Sequence, residues 1–294
     1  MWEPAIGVET AAPMLAAARA VATAAGLIND RFAAPLVAAT GVEFLIRVAD
    51  GELNLAQLGG DGGFTRMAEL FAARTGFFDN FLGEAGRAGI HQAVILGSGL
   101  DARAYRLWWP AAMTLYEVDR PRVLEFKTAV MRALNTYPNV DRRAVGADLR
   151  DDWPAALRRV GFDPAAPTVW IIEGLLVGFL SPDTQDRLLD TVTGLSVAGS
   201  RLAADHLTSV SRAHAAQAAL MAERWRRRGL HIDFAGLIQP GERHDLPRYL
   251  AARGWALAEY RVDALFTAAR LPPLATTDLD GAPAAVRYLT ATRS

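Results

Sequence analysis

Apolar residues recur at two different spacings along this 294-residue chain, and the change of spacing divides it near residue 90. Before that point the pattern is helical. Residues 14–25 are alanine-rich, Phe44-Leu45-Ile46-Arg47-Val48 forms a second apolar run, and residues 63–87 carry Phe71, Phe77, Phe78, Phe81 and Leu82 at spacings that make one helical face. The glycine-rich stretch 55–63 predicts a loop. From His91 onward, short apolar runs alternate with helical segments. Strands are predicted at 93–96, 114–118, 143–146, 168–172 and 200–204, and helices at 102–107, from Pro121 to about 133, at 154–160 and from Pro182. Pro121 and Pro182 stand where a first helical turn tolerates a missing N–H. Residues 255–262 and 285–291 predict the last two strands, with a connection containing Pro272 and Pro273, and 211–228 reads as a polar, arginine-laden surface helix. Apolar strands separated by helices imply an α/β fold whose mostly parallel sheet is covered on both faces.

Composition narrows the partners. Hydrophobic residues make up 51% and charged residues 21%, the balance of an ordinary folded domain. A net charge of −1 supplies no positive field for nucleic acid or an anionic membrane, so neither is an expected partner. Without cysteine there are no disulfides or thiolate metal sites, which suits a cytoplasmic protein. Met1-Trp2-Glu3-Pro4 does not open a signal peptide, and residues 11–28, with Pro13 and Arg19, read as a packed helix rather than a membrane span. Lys127 is the only lysine.

The strongest chemical signal is Val94-Ile95-Leu96-Gly97-Ser98-Gly99-Leu100-Asp101-Ala102-Arg103, followed by Asp119 at the end of the next strand. A strand running into glycines lets backbone approach a nucleotide, and an acid ending strand two can accept from both ribose hydroxyls. Gly97-x-Gly99-x-x-Ala102 also fits a relaxed dinucleotide fingerprint. Three acids favour adenosylmethionine instead. Asp101 puts negative charge where a dinucleotide carries its pyrophosphate. Asp148, after strand three, can accept from an adenine amino group, and Glu173 closes strand four at the ligand-binding edge. Taken alone, Asp148 equally reads as the cap of a helix at 151–157 and Glu173 as an ordinary strand-end acid.

The chain resembles the leucine carboxyl methyltransferase family, including its bacterial branch and the polyketide carboxyl methyltransferases of tetracenomycin type. The resemblance runs through Arg74-Thr75-x-Phe77-Phe78-Asp79, the glycine block with its trailing Asp101-x-Arg103-x-Tyr105-Arg106-Leu107, and Glu117-Val118-Asp119-x-Pro121. It continues through Gly146-Ala147-Asp148-Leu149, Ile172-Glu173-Gly174-Leu175-Leu176, Gly241-Glu242-Arg243-x-Asp245 and Gly254-Trp255. It implies a class I methyltransferase (Rossmann-like) sheet of seven strands with an N-terminal helical cap over residues 1–90. The cofactor-binding core would be 91–294, with a helical insertion at about 209–240. It implies S-adenosyl-L-methionine as donor and S-adenosyl-L-homocysteine as product. By the same resemblance Arg74 would hold the methionyl carboxylate, Gly97 with Ser98 and Gly99 the glycine-turn contact, and Asp119 the ribose. Asp148 and Leu149 would contact adenine, and Glu173 would lie near the methionyl amino group.

A carboxylate acceptor, already ionised at neutral pH, needs no base, whereas a hydroxyl does. His206, beside Asp205 after strand five, is the candidate base in that second case. His91, His214, His231 and His244 form no metal-ligand spacing, and Asp148, Asp151 and Asp152 read as a solvated turn, so no metal is expected. The expected reaction is O-methylation, a small-molecule carboxylate such as a polyketide being the leading acceptor and an aromatic hydroxyl the alternative. A nicotinamide oxidoreductase and a protein that binds the cofactor without catalysis are the competing classes. Substrate contacts are expected from the N-terminal helices, the 55–63 loop and the 209–238 segment, with Trp225, Phe234 and the arginines 212, 224, 226, 227 and 228.

Overall fold

The computed structural model describes residues 11–53, 63–207, 209–210, 216, 219, 223, 226–227, 234–274 and 285–294. The 55–63 loop except Gly63, most of the 211–228 segment, and the side chains of Trp225 and Phe234 lie outside the described residues. Helices α1 (Ala11–Ala24), α2 (Ala33–Thr40), α3 (Glu43–Ala49) and α4 (Gly63–Arg87) come first, as the early spacing predicts. Helix α2 has no separate signal in that spacing; Gly41, at φ 71°, ends it in the left-handed conformation.

The strands are β1 (Gln92–Leu96), β2 (Thr114–Asp119), β3 (Asp141–Gly146), β4 (Val169–Leu176), β5 (Arg201–Leu207), β6 (Trp255–Arg261) and β7 (Val286–Arg293). Between them lie α5 (Arg103–Arg106), α6 (Pro121–Ala133), α7 (Trp153–Arg159), α8 (Pro182–Gly194), α9 (Phe234–Leu237), α10 (Leu246–Ala251) and α11 (Val262–Ala268). The sheet order is β3-β2-β1-β4-β5-β7-β6. Five strands run parallel, and β7 inserts antiparallel between β5 and β6. The chain thus forms the mostly parallel seven-stranded sheet of the class I, Rossmann-like α/β fold. The order reverses between β1 and β4, which opens the crevice beyond their C-terminal ends where ligands of such sheets lie.

The two-residue period of the strands sorts the core. Ala93, Ile95, Leu115, Val169, Ile171 and Ala203 pack under α1 to α4. Val94, Leu96, Val118, Trp170, Ile172 and Ala204 pack on the opposite face. Beneath the edge of β2 and β3, one carboxylate oxygen of Glu117 holds two cations, Lys127 Nζ at 3.0 Å and Arg142 Nη2 at 2.6 Å. The Glu117 and Lys127 side chains are fully buried.

Two strands are longer than the apolar runs suggest. Strand β4 continues past Ile172 to Leu176, and β5 continues past Ala204 to Leu207, because cross-strand pairing carries polar residues into the sheet.

Candidate functional site

The glycine turn is built by the end of β2. Gly97 and Ser98 N–H both donate to Val118 O, at 2.9 and 3.1 Å. Gly97 takes φ 65°, a conformation that favours glycine, and a Cβ there would also come to 2.9 Å from Leu175 Cδ2 and push that side chain aside. Gly99 N–H donates to Asp119 Oδ2 at 2.6 Å, and Arg120 N–H to Oδ1 at 2.7 Å. These two amides fix the Asp119 carboxylate at the mouth of the crevice. Burial raises its pKa, partly opposed by the same two amides.

Around this turn lies a cavity of about 500 Å³, well inside the range of small-molecule sites. Gly97, Ser98, Gly99, Asp119, Asp148, Leu149 and Glu173 all line it. Its other walls come from α1, through Ala12, Leu15 and Arg19, and from Leu175, Phe179, Leu180, Leu237 and Gln239. Arg243 ties those last two walls together, donating to Leu180 O at 2.6 Å and Gln239 O at 2.7 Å. Ser98 Oγ is buried in this wall without a hydrogen-bond partner.

Four lining carboxylates (Asp101, Asp119, Asp148, Glu173) face three lining guanidiniums (Arg19, Arg120, Arg150). Asp148 accepts from Arg150 Nε at 2.8 Å and Nη2 at 2.7 Å and from Arg120 Nε at 3.1 Å. Arg150 chiefly, against the effect of burial, holds the Asp148 pKa well below the carboxylate range. Asp101 meets Arg103 twice, its N–H and its Nη1 each at 2.6 Å. Burial would raise the Asp101 pKa, but Arg103, Lys127 and Arg19 together outweigh it and bring it down to about 2. Arg103 also reaches Glu173 Oε2 and Asp79 Oδ1, both at 2.6 Å.

Residues 12–193 match the leucine carboxyl methyltransferase family. A Mycobacterium avium protein is 52% identical over 281 residues, 95% of each chain. A Mycobacterium tuberculosis protein is 49% identical over 290 residues, 96% of this chain and 90% of that one. Both carry the provisional name S-adenosyl-L-methionine-dependent methyltransferase. The chain belongs to the leucine carboxyl methyltransferase family.

Solved structures share the fold at low identity. A methyltransferase-type protein of Thermobifida fusca superposes with a TM-score of 0.53 at 19% identity, covering 84% of this chain and 88% of that one. A Streptomyces avermitilis protein gives 0.51 at 15%, covering 84% and 89%.

Within this family member, two expected site residues stand apart from the cavity wall. Arg74 is buried behind Gly174, its Nε donating to Asp205 Oδ2 at 2.9 Å and lying 3.5 Å from Glu173 Oε1. His206 lies inside β5 rather than after it, and is 2% exposed. Its Nε2 is 3.0 Å from Glu259 Oε1 on β6, away from the lining residues. His206 thus stands in the last stretch of pairing at the C-terminal end of β5, buried within the sheet and not among the residues that line the cavity. Burial, which outweighs Glu259, lowers its pKa. Asp148 is not the cap of α7; Asp152 is, accepting from Ala155 N–H at 3.1 Å.

The sequence reading missed the Asp79–Arg103–Arg106 cluster and the Arg74–Asp205 pair. Asp79 and Arg103 are 24 residues apart and Arg74 and Asp205 are 131 apart, so no local pattern joins them. Among the described residues, no group of three or more His, Asp or Glu is arranged to hold a metal, and no helix is long and apolar enough to cross a membrane.

Proposed function

We propose that this chain transfers the methyl group of S-adenosyl-L-methionine to the carboxylate of a small, largely apolar molecule, yielding a methyl ester and S-adenosyl-L-homocysteine. The observation that carries the donor is the Asp119 carboxylate, clamped by Gly99 and Arg120 amides at the end of β2 with the cavity in front of it. Each oxygen keeps a lone pair beyond its amide contact, which suits a ribose diol. The residues present fit this donor. Ser98 Oγ has an unmet hydrogen bond in the wall, and the lining guanidiniums Arg19, Arg120 and Arg150 are already engaged by acids or a backbone carbonyl, which weighs against the pyrophosphate of a nicotinamide dinucleotide.

When bound, S-adenosyl-L-methionine supplies a methyl carbon activated by the adjacent sulfonium. The chain's own part is to hold the acceptor oxygen in line with that carbon and to exclude water. A new O–CH₃ bond forms as the S–CH₃ bond breaks, its electron pair stays on sulfur, and no proton moves when the acceptor is a carboxylate. Arg19, Arg120 and Arg150 are drawn to acids or backbone carbonyls, leaving Leu15, Leu175, Phe179, Leu180 and Leu237 as an apolar wall for the acceptor body. His206, the candidate base for a hydroxyl acceptor, is spent on Glu259. In this reading the helices of residues 1–90 and the segment 209–240 act as caps over a core formed by 91–294. The partner is a small molecule rather than nucleic acid or membrane.

The test is transfer from methyl-labelled donor to two panels, lipophilic carboxylic acids and phenols. Alkali-labile label on the acids, released as methanol, is the expected result. Alkali-stable label on phenols would overturn the carboxylate assignment, and binding of NADH with neither adenosyl ligand would overturn the donor.

A further inference from the structure

Strands β4 and β5 run in register up to Ile172 opposite Ala204 and resume with Leu176 opposite His206. Between those pairs β4 supplies Glu173, Gly174 and Leu175, whereas β5 supplies Asp205 alone. The surplus forces a bulge in which Gly174 takes φ 76° and its N–H loses a strand partner. Asp205 Oδ1 accepts that N–H at 2.6 Å. Its Oδ2 accepts from Arg74 Nε at 2.9 Å and faces Nη2 at 2.8 Å. One side chain, 2% exposed, therefore fixes both a strand bulge and a guanidinium carried by α4.

That bulge is part of the site. Glu173 and Gly174 line the cavity, and Arg74 lies directly behind them, with Nη2 3.0 Å from where a Cβ on Gly174 would stand. The sheet order puts Asp148 after β3, Asp119 at the end of β2, the glycine turn after β1 and Glu173 in β4. A nucleoside seated over β3 and β2 leaves its 5′ substituent over the bulge. For the donor proposed above, that substituent is an amino acid, with one ammonium and one carboxylate.

We propose that Asp205 is a positioning residue for the amino-acid end of the donor. It does not touch the ligand. It holds Gly174 N–H, and with it the bulge that presents Glu173, and it draws Arg74 away from Glu173. The distances carry the second point: Arg74 Nε is 2.9 Å from Asp205 and 3.5 Å from Glu173. Arg103 already holds Glu173 Oε2, and without the Asp205 charge Arg74 closes onto Oε1, the oxygen that this acid still presents at the bulge. The inference rests on the donor reading, and its test separates the two.

The experiment measures binding of S-adenosylhomocysteine and of 5′-methylthioadenosine, which keeps the adenosine and thioether but lacks the amino-acid tail. Asp205→Asn retains an oxygen for Gly174 N–H but presents Arg74 with an amide that cannot accept on both sides. The expected result is a rise of about tenfold in the dissociation constant of S-adenosylhomocysteine, with that of methylthioadenosine changed by less than about twofold. Gly174→Ala, which disturbs the same link from the bulge side, should show the same selectivity, and it decides the matter if Asp205→Asn does not fold. Equal losses for both ligands would mark general damage to the site and overturn the proposal, as would unchanged binding of both. Wild-type protein that binds neither ligand would instead sink the donor reading itself.

Discussion

Replacing Asp119 with alanine should separate donor binding from folding. The carboxylate receives N–H groups from Gly99 at 2.6 Å and Arg120 at 2.7 Å, and the donor proposed here adds two ribose hydroxyls. A hydrogen bond to a charged group is worth about 1.5–3 kcal/mol. Losing two at the lower value costs about 3 kcal/mol, roughly a hundredfold in the dissociation constant for S-adenosylhomocysteine. The ligand-free protein should lose little. Burial raises the Asp119 pKa, so its ionised form stabilises the fold less as pH rises through that value, and at neutral pH its removal relieves a desolvation penalty. The two released amides border the cavity, where water replaces the lost acceptor. Calorimetric titration at neutral pH, paired with thermal unfolding without ligand, reads both quantities. Wild-type affinity should also weaken on acidification before ordinary carboxylates near pH 3.9 titrate, because the raised pKa is reached first. A change of less than about fivefold in affinity, or a collapse of ligand-free stability by several kcal/mol, would refute this account of Asp119.

Two further outcomes follow from buried charge. Burial lowers the His206 pKa below its ordinary value of about 6.5, so the stability it lends is present above that pH and is lost as pH falls through the folded value. The melting temperature of His206→Gln should therefore fall less steeply than wild type on acidification below about pH 6.5, and parallel curves would contradict the assignment. Glu117→Gln leaves Lys127 fully buried without its carboxylate, a loss of about 3–5 kcal/mol. Lys127→Met keeps the Glu117–Arg142 contact at 2.6 Å and should cost clearly less. Chemical denaturation of both variants checks the order, and a reversed order would show that Lys127 is not the stranded charge.

What the sequence could foretell follows from the range of the interaction. The glycine turn, Asp119 and Asp148 with Leu149 each sit at or just past a strand end, Glu173 ends the apolar run of β4, and an apolar run ending in glycine or an acid marks such a place locally. The structure gathers all of them around one cavity. Asp205 and His206 interrupt the apolar run and so read as lying past the strand, yet both are paired into the end of β5 by β7, opposite Tyr288 and Arg287. Pairing energy overrode the local polarity. The Arg74–Asp205 link depends on a helix and a strand that only the fold brings together. The β4 bulge likewise comes from its register against β5, which no single segment encodes.

The burial of Lys127 has a practical consequence. It is the only lysine in the chain, and its side chain is wholly shielded. Reagents that acylate lysine amines, including amine-coupling dyes, crosslinkers and acetyl-transferring enzymes, therefore find no side-chain target on the folded molecule. Modification at position 127 marks a molecule that has opened at least locally around β2 and α6. The rate at which mass is gained at this one amine, followed against denaturant, makes the native chain its own unfolding reporter without an engineered label.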